Sequence, residues 1–589
     1  MISERLSALR RVMEQKKADM YLVPASDFHE SEYVTDYFKA REFLTGFTGS
    51  AGTAVITAKE AGLWTDGRYF VQAKEQLPDE IRLYQMGEDG VPDIEEYVEN
   101  HLKEHGCLAF DGRVVNAVWG EKLKKAAEKK HGTIKTDEDL LDGIWKDRPA
   151  LSCEPVWLLD EKYSGKKTSD KLYKVREEMK KKKADIHLMT SLCDIAWLLN
   201  VRGGDISYVP VPLSFLALTE EECIWFVQSG AVDEEVRDYV RKNHITVREY
   251  REFYEYVKKL EGKTVLLDRG AVSCSICSSI PDSCRIMDEP DVAALMKAVK
   301  NKTEIDNIRK AHIKDAVAVC RFMYWLKTNA GSIPMTELSA AEYLEGLRKE
   351  QEGFLEPSFE TISAYKEHGA IVHYAPVPET DASVEGQGFL LVDSGGHYLE
   401  GTTDITRTFA VGAVTEEMKT DYTLVCAACL NLAATRFLYG CTGKNLDLAA
   451  RAPFWEKGLD YKHGTGHGVG YLLSVHEGPN AFRWRKPEAV MEEGMVTTDE
   501  PGLYKEGKYG IRMENELLCR KGEKNEYGQF MYFENLTFVP YDLDAIAAEK
   551  LTDTERKRLN EYHAAVYSVV SPFLSGEELA WLKDATRKV

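Results

Sequence analysis

Apolar residues follow two rhythms along this chain: helical spacing in charged stretches, and short unbroken blocks that read as buried strands. Residues 9–23 (LRRVMEQKKADMYLV) combine both, with an amphipathic helix, an Ala-Asp step and an apolar strand. Residues 175–189 (VREEMKKKKADIHLM) repeat that order about 166 positions later. The segments after each copy also correspond. Residues 44–57 (LTGFTGSAGTAVIT) and the strand-like 62–70 (GLWTDGRYF) match residues 198–219 (LLNVRGGDISYVPVPLSFLALT) and 222–228 (ECIWFVQ). Two copies of one α/β unit predict two related leading domains. Polar, proline-bearing stretches place the boundaries near Cys153-Glu154-Pro155 and Asp288-Glu289-Pro290, giving domains at 1–154, 155–290 and 291–589.

Beyond residue 290 the pattern becomes helical, and then mixed. Thr303 with Asp306 reads as the cap of a helix running to about Lys327, and a second helix follows Thr336. Strand-like segments are expected to carry Phe359, residues 371–374, and a hairpin over 389–409 (FLLVDSGGHYLEGTTDITRTF). Helices are expected over about 415–437 and 445–457, then a glycine-rich stretch at 463–470 (HGTGHGVG), then a second hairpin over 496–518. After about residue 535 the chain turns helical and charged, as an extension of the last domain.

The hairpins carry the chemistry. Asp393 closes an apolar run, and Asp404 lies eleven residues on. With a turn centred near Tyr398 and Leu399 the two acids face each other across the ribbon. Glu500 and Glu514 similarly flank a turn centred on Gly507. Carboxylates held so close share a proton or hold a cation. Further ligands favour the cation: six of the fourteen histidines (His368, His373, His397, His463, His467, His476) fall within about 110 residues of one another. Two divalent ions balance four carboxylates, so the cluster can be buried. Such a pair lowers the pKa of a shared water and makes a nucleophile near neutral pH. Oxygen ligands with one imidazole favour manganese, with zinc or cobalt as alternatives.

Composition removes other classes. A formal charge of -21 and a pI near 5.3 argue against nucleic-acid or anionic-membrane partners. No apolar stretch approaches the roughly 20 residues of a membrane span. The start of the chain is charged and helical in period, unlike a signal peptide, and twelve cysteines without an export signal suggest free thiols in a reducing cytoplasm. Cys274-x-x-Cys277 and Cys426-x-x-Cys429 lack matching partner pairs and read as structural thiols. The glycines of residues 46–52 lack the Gly-Lys-Ser/Thr ending of a phosphate loop and read as a tight turn.

Four motifs together resemble the Xaa-Pro aminopeptidase (aminopeptidase P) family of pita-bread metallopeptidases: DSGGHYLEGTTDITRTF (393–409), HGTGHGVGYLLSVHEGP (463–479), TTDEPGLY (497–504) and YGIRMEN (509–515). HYAPVPET (373–380) is similar to the long, three-domain form. The resemblance implies an α/β (α+β) architecture: two creatinase-like N-terminal domains followed by a pita-bread catalytic domain. It implies that Asp393 binds one metal, that His467 and Glu500 bind a second, and that Asp404 and Glu514 bridge both. Glu500 would also carry a proton to the departing prolyl nitrogen. His373 and His476 match histidines that hold the scissile carbonyl, and His463 and Phe359 match positions lining a proline pocket. Arg512, two residues before Glu514, is placed on the same strand face, behind the ligands or in the pocket. Tyr471, Leu472 and the arginine-rich residues 482–486 are less standard and leave the pocket detail open. The implied substrate is a peptide with proline in second position, cut to release its first residue, with the leading domains favouring entry of a chain end. A cytoplasmic homodimer is expected, since Trp455 resembles a position used in family dimers, although a buried tryptophan fits as well. The alternatives are a prolidase acting only on Xaa-Pro dipeptides, and a metal-free peptide-binding module of the same fold.

Overall fold

The computed structural model describes residues 2–485 and 489–589 and forms two compact units. Lys486, at the end of the arginine-rich stretch, lies outside the described residues. The first unit comprises Met1–Glu161 with Lys166–Ala293, and the second comprises Lys162–Gly165 with Ala294–Val589.

The first unit carries the repeat. Helix α1 (Ile2–Lys16) leads into β1 (Met20–Pro24), β2 (Thr53–Thr57), β3 (Ala61–Thr65), β4 (Arg82–Gln85), β5 (Cys107–Phe110) and β6 (Thr133–Lys135), in the order β4-β3-β2-β1-β5-β6. Helix α2 (Thr168–Lys182) leads into β7 (Ile186–Met189), β8 (Ser214–Thr219), β9 (Cys223–Val227), β10 (Thr246–Arg248), β11 (Thr264–Leu267) and β12 (Arg285–Asp288), in the order β10-β9-β8-β7-β11-β12. Pairing senses correspond strand for strand, antiparallel at β1–β2 and β7–β8 and parallel at β1–β5 and β7–β11. Central strands are buried throughout their length, which is why they read as unbroken apolar blocks. Gly46, at φ +77, ends a short helix, and a strand rather than a helix comes next, at β2. All twelve cysteines are free thiols.

The longest helix of the second unit is α3 (Lys302–Asn329). Its cap is not the Thr303–Asp306 pair expected from the sequence. Asn301 accepts from the Thr303 and Glu304 amides while Glu304 reaches back to the Asn301 N–H, a capping box two residues earlier. Helix α4 (Glu337–Lys349) starts at Thr336 as expected. Next come strands β13 (Phe354–Pro357) and β14 (Ile362–Tyr365), then β15 (Phe389–Ser394), β16 (Gly396–Tyr398), β17 (Gly401–Thr402) and β18 (Ile405–Ala410). Two three-stranded sheets result, β13-β16-β17 and β14-β15-β18. Phe359 lies in the bend between β13 and β14, and residues 371–374 form turns after a 3-10 helix, so neither is in a strand. Helix α5 (Glu416–Ala433) is followed by β19 (Phe437–Leu438) and α6 (Leu448–Trp455). Then come β20 (Gly466–Gly468), β21 (Glu477–Phe482), β22 (Val496–Asp499), β23 (Gly502–Lys505), β24 (Tyr509–Arg512), β25 (Asn515–Asn525) and β26 (Gly528–Asn535). A six-stranded sheet runs β19-β26-β25-β22-β20-β21, with β23-β24 as a separate ribbon. Helices α7 (Asp553–Val570) and α8 (Gly576–Ala585) close the chain. Leu559 of α7 joins the core under α5, and Val566, Val570 and Leu582 join the core formed by α3 and β18.

Candidate metal centre

The first ribbon differs in register from the sequence expectation. Tyr398 pairs with Gly401, so the tip is Leu399-Glu400, and Asp393 stands opposite Thr406 rather than Asp404. Asp404 falls in the break between β17 and β18, diagonal to Asp393. Turn length sets register in a hairpin, and Gly401 at φ +145 supplies the shift. The second ribbon keeps the expected register. Asp499 pairs with Asn515 and Gly502 with Arg512, so Glu500 and Glu514 lie opposite each other where Pro501, lacking an N–H, interrupts the ladder.

The third contributor is β20, which explains the glycines around His467. A Cβ on Gly466 would stand 1.8 Å from the Thr498 carbonyl oxygen, and one on Gly468 would stand 2.2 Å from that of Glu477. Only glycine lets this strand slot between β21 and β22 with His467 turned to the acids.

Donor atoms of Asp404, His467 and Glu514 lie within 4.8 Å of one another, and all three residues are buried. His467 Nε2 is 3.5 Å from Asp404 Oδ2 and 3.6 Å from Glu500 Oε1. His467 Nδ1 sits 3.0 Å from the Gly468 carbonyl, which fixes the proton there and turns the basic Nε2 to the acids. Thr498 ties two of these groups, accepting from the His467 N–H at 3.1 Å and donating to Glu500 Oε1 at 3.4 Å. Thr406 donates to Glu514 Oε2 at 2.8 Å.

Burial first, then the neighbouring carboxylates, push the acids up. The carboxyls of Asp404 and Glu514 lie well above the usual range, and that of Glu500 is pushed up to about 7. Asp393 is balanced by Arg512, whose Nη2 donates to Oδ2 at 2.7 Å. Arg512 Nη1 donates to the Tyr504 hydroxyl at 2.8 Å, and that hydroxyl lies 2.9 Å from His463 Nε2. One chain of hydrogen bonds therefore joins Asp393, Arg512, Tyr504 and His463. His476 packs edge-on against His467, with ring centroids 4.3 Å apart. The next residue, Glu477, is held between Lys297 and Lys300. His373 is half-buried in the turn after the 3-10 helix, and Phe359 is buried in its bend at 8% exposure.

The donor set fits a pair of divalent cations on three grounds. Four carboxylates converge, and the guanidinium bonded among them, that of Arg512, pairs with Asp393. Asp393 Oδ1 and Asp404 Oδ1 are buried without hydrogen-bond partners. The imidazole presents the tautomer a metal requires.

Sequence reasoning missed Tyr504, Thr406 and Thr498. The first stands four residues after Glu500 in TTDEPGLY, close enough to be noticed, but its partners come from other strands. His368 and His397, without a role from sequence, are structural: His397 is fully buried against Thr402, and His368 bonds Glu337. Tyr471 and Leu472 are buried.

This architecture and site define a metallopeptidase of the pita-bread class with two creatinase-type domains ahead of it. Residues 306–521 match the metallopeptidase family M24, residues 5–141 and 147–304 each match the creatinase/prolidase N-terminal domain, and residues 529–589 match the C-terminal region of peptidase M24. The probable Xaa-Pro aminopeptidase P of Laccaria bicolor is 38% identical, over 99% of this chain and 92% of that protein. Aminopeptidase P1 of Arabidopsis thaliana is 36% identical over 100% and 99%. The crystal structure of X-prolyl aminopeptidase from Caenorhabditis elegans, described as a cytosolic enzyme with a di-nuclear active site, superimposes with a TM-score of 0.96 at 33% identity over 100% of both chains. The chain belongs to the M24 metallopeptidases, in the aminopeptidase P family.

Proposed function

We propose that this chain is a metal-dependent aminopeptidase that releases the first residue from peptides with proline in second position. The observation that carries the reading is the convergence of Asp404, His467 and Glu514 within 4.8 Å, in a chain that matches Xaa-Pro aminopeptidases over its whole length. Asp393, Asp404, His467, Glu500 and Glu514 would hold two divalent ions, manganese by preference. When bound, such a pair lowers the pKa of a water and polarises a carbonyl.

The chain's own residues do the rest. Glu500, bonded by Thr498 and facing His467, takes the proton of the attacking water and passes it to the prolyl nitrogen. His373 and His476 hold the scissile carbonyl and its developing negative charge. The Xaa-Pro amide has no N–H to grip, so recognition falls to packing of the pyrrolidine ring by His463 and Phe359. Arg512 keeps Asp393 in place and, through Tyr504, orients His463.

The domain limits are read as 1–154, 155–290 and 291–589. A homodimer is supported by Trp455, 42% exposed and edge-on to Trp484 with centroids 5.8 Å apart. A cytoplasmic location is supported by the cytosolic description of the Caenorhabditis elegans structure; no helix among the described residues is long and apolar enough to cross a membrane.

A prolidase is the second reading. The prolidase from Pyrococcus horikoshii, 25% identical with a TM-score of 0.50, covers 64% of this chain and 99% of its own. That alignment leaves more than a third of the present chain uncovered, whereas the X-prolyl aminopeptidase of Caenorhabditis elegans matches all of it, which favours the aminopeptidase.

Product analysis on Arg-Pro-Pro-Gly and on an Xaa-Pro dipeptide, with and without manganese, tests the reading. Free arginine and Pro-Pro-Gly, released only with metal, are expected. Cleavage confined to the dipeptide makes it a prolidase, and absence of bound metal and of any cleavage makes it a binding module. His373→Ala is expected to lower kcat by about 100- to 1000-fold with KM within about threefold, because its bond strengthens in the transition state. Steady-state kinetics with the metal-loaded protein checks this, and a change in KM alone contradicts it.

A further inference from the structure

We propose that Glu337 is a positioning residue for the reaction: its buried carboxylate clamps the loop that carries His373. This rests on the reading of His373 as the group that holds the scissile carbonyl. Glu337 is the first residue of α4, and its side chain is fully buried. Oε1 accepts from the Tyr365 N–H at 2.6 Å and lies 2.8 Å from His368 Nδ1. Oε2 accepts from the Tyr374 hydroxyl at 2.8 Å and the Ala382 N–H at 3.0 Å. These donors stand at both ends of the segment 365–382 and in its middle, and Tyr374 adjoins His373. The imidazole of His368 packs on Tyr374, tilted by 30° with centroids 4.4 Å apart, so the two side-chain donors brace each other.

No helix or strand holds residues 371–382. The 3-10 helix just before them presses directly on the second ribbon. A Cβ on Gly510 would stand 1.6 Å from the Gly369 carbonyl oxygen, so the two backbones touch there, two residues from Arg512. Glu337 fastens the other side. A carboxylate is required for this, because every partner is a donor. In Glu337→Gln the amide NH2, whichever way it is turned, meets a backbone N–H, that of Tyr365 or that of Ala382. The loop must then shift, and a displacement of about 1 Å at a catalytic group costs on the order of 100-fold.

The test uses the full-length, metal-loaded protein. Glu337→Gln, Tyr374→Phe, His373→Ala and the double variant Glu337→Gln/His373→Ala are compared for kcat, KM, bound metal and the NMR signals of 13C-labelled histidine rings. The expected result is a kcat reduced about 10- to 100-fold in Glu337→Gln, with unchanged KM and metal content and a shifted His373 signal. Tyr374→Phe, which removes one donor only, falls between it and the wild type. In the His373→Ala background Glu337→Gln costs nothing further. An unchanged kcat, or losses that multiply in the double variant, overturns the proposal. If His373→Ala itself is fully active, the role of that histidine falls; a His373 signal unmoved by Glu337→Gln then overturns the clamp as well, whereas a shifted one upholds it. Should Glu337→Gln not fold, Tyr374→Phe decides through the same two readouts.

Discussion

Asp404→Ala and Glu514→Ala each abolish turnover, with kcat falling more than about 1000-fold and the bound metal falling below two ions per chain. Both carboxyls are buried and raised, by that burial first and by neighbouring carboxylates after it, and both lie within reach of His467. Asp393 has Arg512 to balance it, whereas Asp404 Oδ1 has no hydrogen-bond partner. A cation is what would make such a pair tenable, and an acid that bridged two cations would take both sites with it when truncated. Metal analysis after gel filtration and single-turnover kinetics check this. The same substitution relieves repulsion among the remaining carboxylates, so the metal-free Asp404→Ala protein melts higher than the metal-free wild type. Wild-type kcat with two ions bound in both variants contradicts the dinuclear scheme.

Metal removal destabilises the protein, and does so more as pH rises. The carboxyls of Asp404, Glu500 and Glu514 are raised in the folded chain by burial first; neighbouring carboxylates, Asp393 among them, add to this, and Arg512 opposes it at Glu500. Groups raised above their unfolded values bind more protons folded than unfolded, so their contribution is present below the unfolded pKa and is lost as pH climbs through the folded one. For Glu500 that window runs from 4.5 to about 7, worth about 3 kcal/mol, and Asp404 and Glu514 act in the same direction. With metal bound, cation charge replaces the missing protons. Melting curves of chelated and metal-loaded protein therefore converge near the acid end of this window and separate toward and above its neutral end. Asp315, held below the usual carboxylate range by Arg348 against the cost of burial, titrates in the opposite sense but equally in both samples, and so cancels in the difference. A gap that stays constant or narrows with rising pH contradicts the assignment of these acids to a shared cation site.

The register of the first ribbon shows where reading from sequence stops. That Asp393 and Asp404 belong to one ribbon is legible, because an apolar run ends on one and a polar return carries the other, but the expected facing of the two acids is not what forms. Which residue stands opposite which depended on a tip of Leu399-Glu400 and on Gly401 at a positive φ. Hydrophobic alternation is indifferent to a one-residue change at a tip, whereas the second ribbon, centred on Gly507, left no such freedom. The helix cap at Asn301 was missed for a similar reason: Asn301 with Glu304 and Thr303 with Asp306 are both plausible boxes in the chain, and packing chose the first.

The chain alone determined the duplicated α/β unit, the two acid-bearing ribbons and the glycine-flanked histidine, because each is written in local periodicity or in residue types packed into a short span. The clamp of Glu337 on the His373 loop, the bond of Arg512 to Asp393 and the contact of Tyr504 with His463 came only with tertiary structure. Arg512 and Asp393 lie 119 positions apart. A hydrogen bond across such a distance leaves no trace in the spacing of residues, since it is folding of the sheets that brings donor and acceptor together and burial that makes the bond obligatory.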